Sequence, residues 1–218
     1  MARAMRLSGA VLCLLVLCMA APAVESRKMG KGMVSLAIRV LCIPTTESLL
    51  IEHEGRHQCA YELPNGDKAV GVGYDLDDDK ETRRSELSTV LADYDKVYDG
   101  KDCLNTIQIS ALLALDARRA LDRAAKSVKS LDEQCCDVQA VFGDIQHSGG
   151  KDVYEQNGFE DFIEAVSAKK WDKAADTLEK TRWCSDNKDR CRDNKGIITK
   201  GCGNSVAAAL IAQVTNRV

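Results

Sequence analysis

One stretch, residues 54–74, sets the class of fold open to this chain. It joins the end of an apolar helix to a tight hairpin with almost no linker. Leu50 and Ile51 stand four and three residues before Glu54 and share its helix face. Gly55 fits the left-handed stop that ends such a helix. Residues 60–63 and 68–74 read as two strands around Pro64-Asn65-Gly66-Asp67, with Asn-Gly supporting the turn. Gly71 and Gly73 fall on one face of the second strand, where a ligand or another backbone can approach closely. No other part of the chain reads convincingly as strand. The expected class is α+β, mainly α, with the hairpin segregated into an N-terminal lobe.

The rest is helical punctuation. Residues 33–42 predict a short apolar helix ended by Ile43-Pro44, and Thr45 or Thr46 would cap the next, which runs to Glu54. The acids of 75–79, with Glu86, half-resemble a calcium loop, but Lys80 stands where the sharp-turn glycine belongs. A cap for a helix over 81–94 is the preferred reading. A loop is expected over 95–102. Asn105 or Thr106 then caps a long helix that carries Ile109, Leu112, Leu113, Asp116, Ala120 and Ala124 at helical spacing to about Val128. Further helices are expected over 138–145, 159–168, 171–182 and 205–214, with a polar loop over 184–191.

Residues 1–23 read as a secretory signal peptide: Arg3 and Arg6, an apolar run, then Ala21-Pro22-Ala23 as the cleavage site. Leu17 before Cys18 argues against a lipid anchor, and no later apolar run is long enough to span a membrane. Residues 24–44 are then a basic leader and a short helix, and 45–218 one domain. Loss of Cys13 and Cys18 with the signal leaves eight of the ten cysteines, an even set that reads as four disulfides in an extracellular chain. Cys184 and Cys191 are the first pair expected; Cys135 and Cys136 must reach different partners. Zinc is a weak rival for them, because no C-x-x-C pair occurs. Net charge moves from −3 to −5 once Arg3 and Arg6 leave. That disfavours nucleic acid as a partner, and it withholds the long-range attraction a purely antimicrobial protein would have for anionic walls.

Two motifs compete for Glu54. His53-Glu54-Gly55-Arg56-His57 matches the H-E-x-x-H zinc-hydrolase pattern, but Gly55 interrupts the helix that pattern needs. The other reading makes Glu54 a general acid at the edge of an apolar stripe, where burial would push its pKa up.

The second reading gains from a longer match. Glu54-Gly55, Tyr61, Gly66 and Gly71-Val72-Gly73 resemble the catalytic helix and hairpin of the phage-type lysozymes, glycoside hydrolase family 24. Lys169-Lys170-Trp171-Asp172-Lys173-Ala174-Ala175 and Lys180-Thr181-Arg182-Trp183 resemble that family's C-terminal helices, and Ile145-Gln146-His147-Ser148-Gly149 its cleft segment. The loop from Trp183-Cys184 to Cys191 is similar to the secreted eukaryotic branch. The resemblance covers about residues 45–202. It implies a two-lobed monomer: a hairpin lobe over 45–105, a linking helix over 106–128 and a helical lobe over 129–218. Bacterial peptidoglycan would lie in the cleft between the lobes, with no cofactor, metal or membrane involved. The implied reaction is hydrolysis of the β-1,4 bond between N-acetylmuramic acid and N-acetylglucosamine, in digestion or defence. Glu54 would be the acid, and Tyr61, Gly71, Gly73 and Gln146 would contact substrate. The family's water-positioning Asp and Thr fall at Leu63 and Ala69 here. Glu62 is the substitute, provided the hairpin slips or bulges before Pro64; Asp67 is a poorer one. A glycan-binding protein of the same fold that does not cut is the alternative.

Overall fold

The structure, a computed structural model, describes residues 31–203, with side chains from residue 36. The expected signal peptide and the helix over 205–214 lie outside the described residues. Helix α1 (Lys31–Glu54) leads into three strands, β1 (His57–Glu62), β2 (Lys68–Gly71) and β3 (Tyr74–Asp75). Then come α2 (Lys80–Thr89), α3 (Tyr94–Tyr98) and the long α4 (Thr106–Ser127). They are followed by α5 (Cys136–Gly149), α6 (Phe159–Ser167), α7 (Trp171–Glu179), α8 (Arg182–Asp186) and α9 (Lys188–Lys200). The class is α+β, mainly α, as expected.

Pro44 does not end a helix. The chain passes through it, so the two expected helices are one. An interior proline removes a backbone bond and crowds the preceding turn, at a cost of about 3 kcal/mol. Two features near it hold the helix together. Thr46 Oγ1 donates to the Cys42 carbonyl at 3.1 Å and Ser48 Oγ to the Pro44 carbonyl at 2.9 Å. The Cys42–Cys136 disulfide also ties this turn to the start of α5, along which α1 packs. Gly55 ends α1 as expected, at φ 70°, its amide donating to the Ile51 carbonyl.

The expected second strand is two. Gly71 and Gly73 both have positive φ, 71° and 62°, so residues 71–73 turn the chain and give a sheet of order β1-β2-β3. Gly71 and Gly73 therefore do not share one strand face. A side chain on Gly71 would point at Ile109 of α4. In β1 the register with β2 shifts between His57 and Tyr61, and the regular ladder resumes with Tyr61 opposite Ala69 and Glu62 opposite Lys68.

The acids after β3 act as turn and cap groups. Asp75 accepts from the amides of Asp77 and Asp78, and Asp79 caps α2 by accepting from the Thr82 amide. Asp93 starts α3 by accepting from the Lys96 amide, so part of the expected loop over 95–102 is helix and α2 stops earlier than expected. Asn105 caps α4 in a reciprocal arrangement with Gln108.

Helix α4 serves two cores. Ile109, Leu112, Leu113 and Ala117 pack with Leu50, Val70, Tyr74, Leu76 and Leu87; Ala124 and Val128 pack with Phe142, Ile145, Phe159, Phe162 and Trp183. Helix α1 spans both, giving Leu50 to the first and Leu49 to the second, so it is not confined to the hairpin side. Both tryptophans pack on the second core, Trp183 deeply and Trp171 partly. All eight expected cysteines are bridged: Cys42–Cys136, Cys59–Cys103, Cys135–Cys202 and Cys184–Cys191. Cys135 and Cys136 do part to different partners. The region 184–191 is stapled but is not a loop; it holds the end of α8 and the start of α9. Cys191, Asn194 and Ile198 of α9 are buried at helical spacing.

Candidate active site

Two helices and the turn between β2 and β3 converge on the end of α1. Glu54 is its last residue, and Arg190 reaches it from α9, with Nη2 2.7 Å from Oε1. His147, in the last turn of α5, brings Nδ1 to 3.6 Å from the same oxygen, short of a full hydrogen bond. Gly73 closes the opposite side. A methyl there would lie 2.9 Å from Glu54 Cδ and from His147 Cε1, and 3.0 Å from Glu54 Oε2. Only a glycine admits both side chains, and its positive φ suits glycine alone. Oε1 is thus occupied by Arg190 and His147, while Oε2 lies beside Gly73 and makes no hydrogen bond to the described residues.

Glu54 titrates opposite to the expectation. Burial pushes its carboxyl up, as foreseen. The neighbouring His147 imidazole and the Arg190 guanidinium outweigh that and bring it down to about 2. The carboxylate is ionised in the resting site. The cause could not be read from residues 50–54, since both partners lie more than 90 positions away.

Behind Glu54 lies a buried polar cluster. Asp144, fully buried on α5, accepts from Arg190 Nε at 3.0 Å and Asn194 Nδ2 at 2.7 Å. His53 Nδ1 lies 3.0 Å from Asp144 Oδ1. That geometry corrects the zinc motif. His53 is engaged with Asp144, α1 ends at Glu54, and His57 sits exposed on β1 with its ring 4.3 Å from that of Tyr61. The two histidines do not share a helix face. Among the described residues no group of three or more His, Cys, Asp or Glu is placed to hold a metal.

A cleft of about 380 Å³ opens beside Gly73 and His147, the two neighbours of Glu54, and is lined in part by Asp67, Asp116, Arg123 and Gln146. One wall carries the acids of the hairpin side, the other the bases of α4. On the far side of His147, Nε2 stands 3.9 Å from Asp116 Oδ2. Asp116 accepts from Arg83 Nη1 at 3.1 Å and from Arg119; Glu86 accepts from Tyr74, Arg83 and Arg119.

The other expected site residues divide. Tyr61 lies within electrostatic reach of Glu54: burial pushes its phenol up and the Glu54 carboxylate adds to the shift. Gln146 lines the cleft, with its amide nitrogen donating to the Gly150 carbonyl at 2.6 Å. Gly73 touches Glu54, and Gly71 faces α4 instead. Glu62 follows Tyr61 in regular ladder, and successive strand residues point to opposite faces, so Glu62 is exposed on the side away from Glu54. The bulge in β1 lies before Tyr61, too early to bring Glu62 round. Leu63 is half-buried and Ala69 fully buried. Arg190 and Asp144 were not foreseen. Asp144 lay in the expected helix over 138–145, as the one acid of an apolar run; for Arg190, inside the expected loop over 184–191, the signal was the helical spacing of Cys191, Asn194 and Ile198. In comparisons with known proteins, no protein-family model and no curated protein matches this chain.

Proposed function

We propose that the protein is an extracellular muramidase of the phage-type lysozyme kind, with Glu54 as its acid. The observation that carries this reading is the Oε2 of Glu54, left without a hydrogen bond beside Gly73, where Gly73 and His147 line the adjoining cleft. A sugar chain laid along the cleft past Gly73 would bring a glycosidic oxygen towards that atom, with Gln146 lining its bed. Four disulfides and the absence of a long apolar helix among the described residues fit a protein working outside the cell. A proton on Oε2 would pass to the leaving oxygen as the C1–O bond breaks, and water would add to C1 from the other face.

A second reading rests on its own observation. The two positions at which the family holds its water carry Leu63 and Ala69, and Glu62 is exposed on the strand face opposite to Tyr61. In that reading the fold binds cell-wall glycan without cutting it.

Clearing of purified peptidoglycan by the mature chain separates them. Under the muramidase reading, Glu54→Gln loses activity by at least about a hundredfold, whereas Glu62→Gln keeps it within a factor of about two, as expected of an exposed strand residue. Full activity in Glu54→Gln removes Glu54 as the acid. A wild type that binds peptidoglycan and never clears it leaves the binding reading.

A further inference from the structure

Hydrolysis needs a group to hold the attacking water, and the cleft offers five carboxylates: Asp67, Asp75, Asp77, Asp78 and Asp116. Four are engaged. Asp77 meets Tyr98 and Lys80 through Oδ1 and accepts from the Lys68 amide through Oδ2. Asp78 Oδ2 pairs with Arg83, and Asp67 Oδ2 accepts from Asn65 at the hairpin tip. Asp116 has Oδ1 clamped by Arg83 and Arg119 and Oδ2 beside the His147 ring. Asp75 differs. Its Oδ1 accepts from the amides of Asp77 and Asp78, at 2.8 and 3.2 Å, which fixes the carboxyl, while Oδ2 has no hydrogen-bond partner among the described residues.

Register decides which way Asp75 points. Ala69 is the partner of Tyr61 in β1 and of Asp75 in β3, so the three form one row across the sheet. Directly opposed residues of antiparallel strands share a face. Tyr74, the neighbour of Asp75 in β3, goes into the first core, so Asp75 turns the other way and lines the cleft. One end of the row is Tyr61, whose phenol the Glu54 carboxylate shifts. The other is Asp75, two residues after Gly73, against which Glu54 packs. Two residues of chain span at most about 7 Å, so the Asp75 backbone begins close to the Glu54 carboxylate. Ala69, between the two ends, has no polar side-chain atom. Burial pushes the Asp75 carboxyl up, and the nearby Asp67 and Asp78 carboxylates add to the push. A carboxylate that takes its proton more readily is a better base.

We infer that Asp75 is the second catalytic carboxylate, the base that holds and deprotonates the attacking water through Oδ2. The inference rests on the muramidase reading. It supplies from β3 what Leu63 and Ala69 do not supply from the hairpin. Water hydrogen-bonded to Oδ2 adds to C1 from the face opposite the leaving oxygen, and its proton passes to Oδ2. The C1–O bond breaks with its electron pair on the leaving oxygen, which takes the Glu54 proton. Solvent then removes the proton from Asp75 and returns one to Glu54, so one water is consumed per bond cut. An acid and a base on opposite faces of the sugar invert C1, and such pairs stand about 6.5–9.5 Å apart to leave room for the water. Each β-1,4 bond cut this way releases an α-anomeric end.

Asp75→Asn keeps an oxygen for the two turn amides and removes the anion, so the turn survives the change. Peptidoglycan clearing by this variant is expected to fall at least about a hundredfold, with an unchanged melting temperature. Sodium azide, an anion that attacks C1 without help from a base, should then raise the variant's rate at least about tenfold. It should also leave azide on C1 of the new ends, seen by mass spectrometry, while the wild type gains nothing. A wild-type rate in Asp75→Asn, or a loss that azide does not relieve, overturns the inference and leaves the muramidase reading intact. The wild-type product tests the same step without any substitution. NMR of freshly cut ends should show the α-anomer before mutarotation, and a β-anomer overturns the inference. A wild type that never clears peptidoglycan overturns the reading and the inference together.

Discussion

Replacing Arg190 with glutamine is expected to destabilise the protein in a pH-dependent way. The guanidinium bonds Glu54 through Nη2 and Asp144 through Nε, and Asp144 has no exposure to water. Deleting one partner of a buried pair costs about 3–5 kcal/mol. The low end applies, because Asp144 keeps Asn194 and the Glu54 side chain retains 20% exposure. For a domain of this size a loss near 3 kcal/mol lowers Tm by roughly 6–12 °C. Part of the loss is tied to Glu54. Its fall from the ordinary glutamate range to about 2 corresponds to about 3 kcal/mol in all, shared between His147 and Arg190. A carboxyl depressed in the folded state adds stability above its unfolded pKa, near 4.3, and loses it as pH falls towards 2. The gap between wild type and Arg190→Gln should therefore be widest above about pH 5 and shrink by roughly half on approach to pH 2. Urea unfolding followed by circular dichroism, with disulfides intact, measures this. A gap constant from pH 7 to 2.5 would show that Glu54 is not held down by Arg190.

Two further outcomes follow from the packing. Gly73→Ala should cut clearing activity by at least about tenfold, since the new methyl meets both Glu54 and His147 from a left-handed backbone; its melting temperature and activity, compared with those of Gly66→Ala at the open turn, separate site damage from backbone strain. Replacing both cysteines of Cys42–Cys136 by serine should cost about 4–5 kcal/mol, against about 2 kcal/mol for Cys184–Cys191, because they close loops of 94 and 7 residues. Equal losses in calorimetry would contradict the loop-entropy account.

Local chemistry carried much of the fold. Asn105 with Gln108, the spacing from Ile109 to Ala124, and Gly55 after Glu54 each act within one turn of chain, and each stood as expected. The errors arose where distant residues decide. Pro44 is tolerated inside α1 beside a disulfide to a cysteine 94 positions on. The strand over 68–74 breaks where Gly71 must pass Ile109. Helix α9 is highly charged, and its buried face of Cys191, Asn194 and Ile198 is too polar to stand out as apolar periodicity. The site followed the same rule. Glu54, Tyr61 and Gly73 are close in sequence and were found together. His147 and Arg190, which reverse the titration of Glu54, come from chain more than 90 residues further on.

The unbroken run of α1 has a mechanical consequence. Glu54 ends a rod bolted to α5 by Cys42–Cys136, α5 ends in His147, and α9 packs against α5 and carries Arg190. The acid, its neighbouring imidazole and its counter-ion therefore ride on one stiff frame. Tyr61 and Gly73 ride on the hairpin. Any flexing that widens the cleft would lift the hairpin from the carboxylate and leave the charged trio undisturbed, so under the muramidase reading the jaws could part for a long polymer without resetting the acid each time.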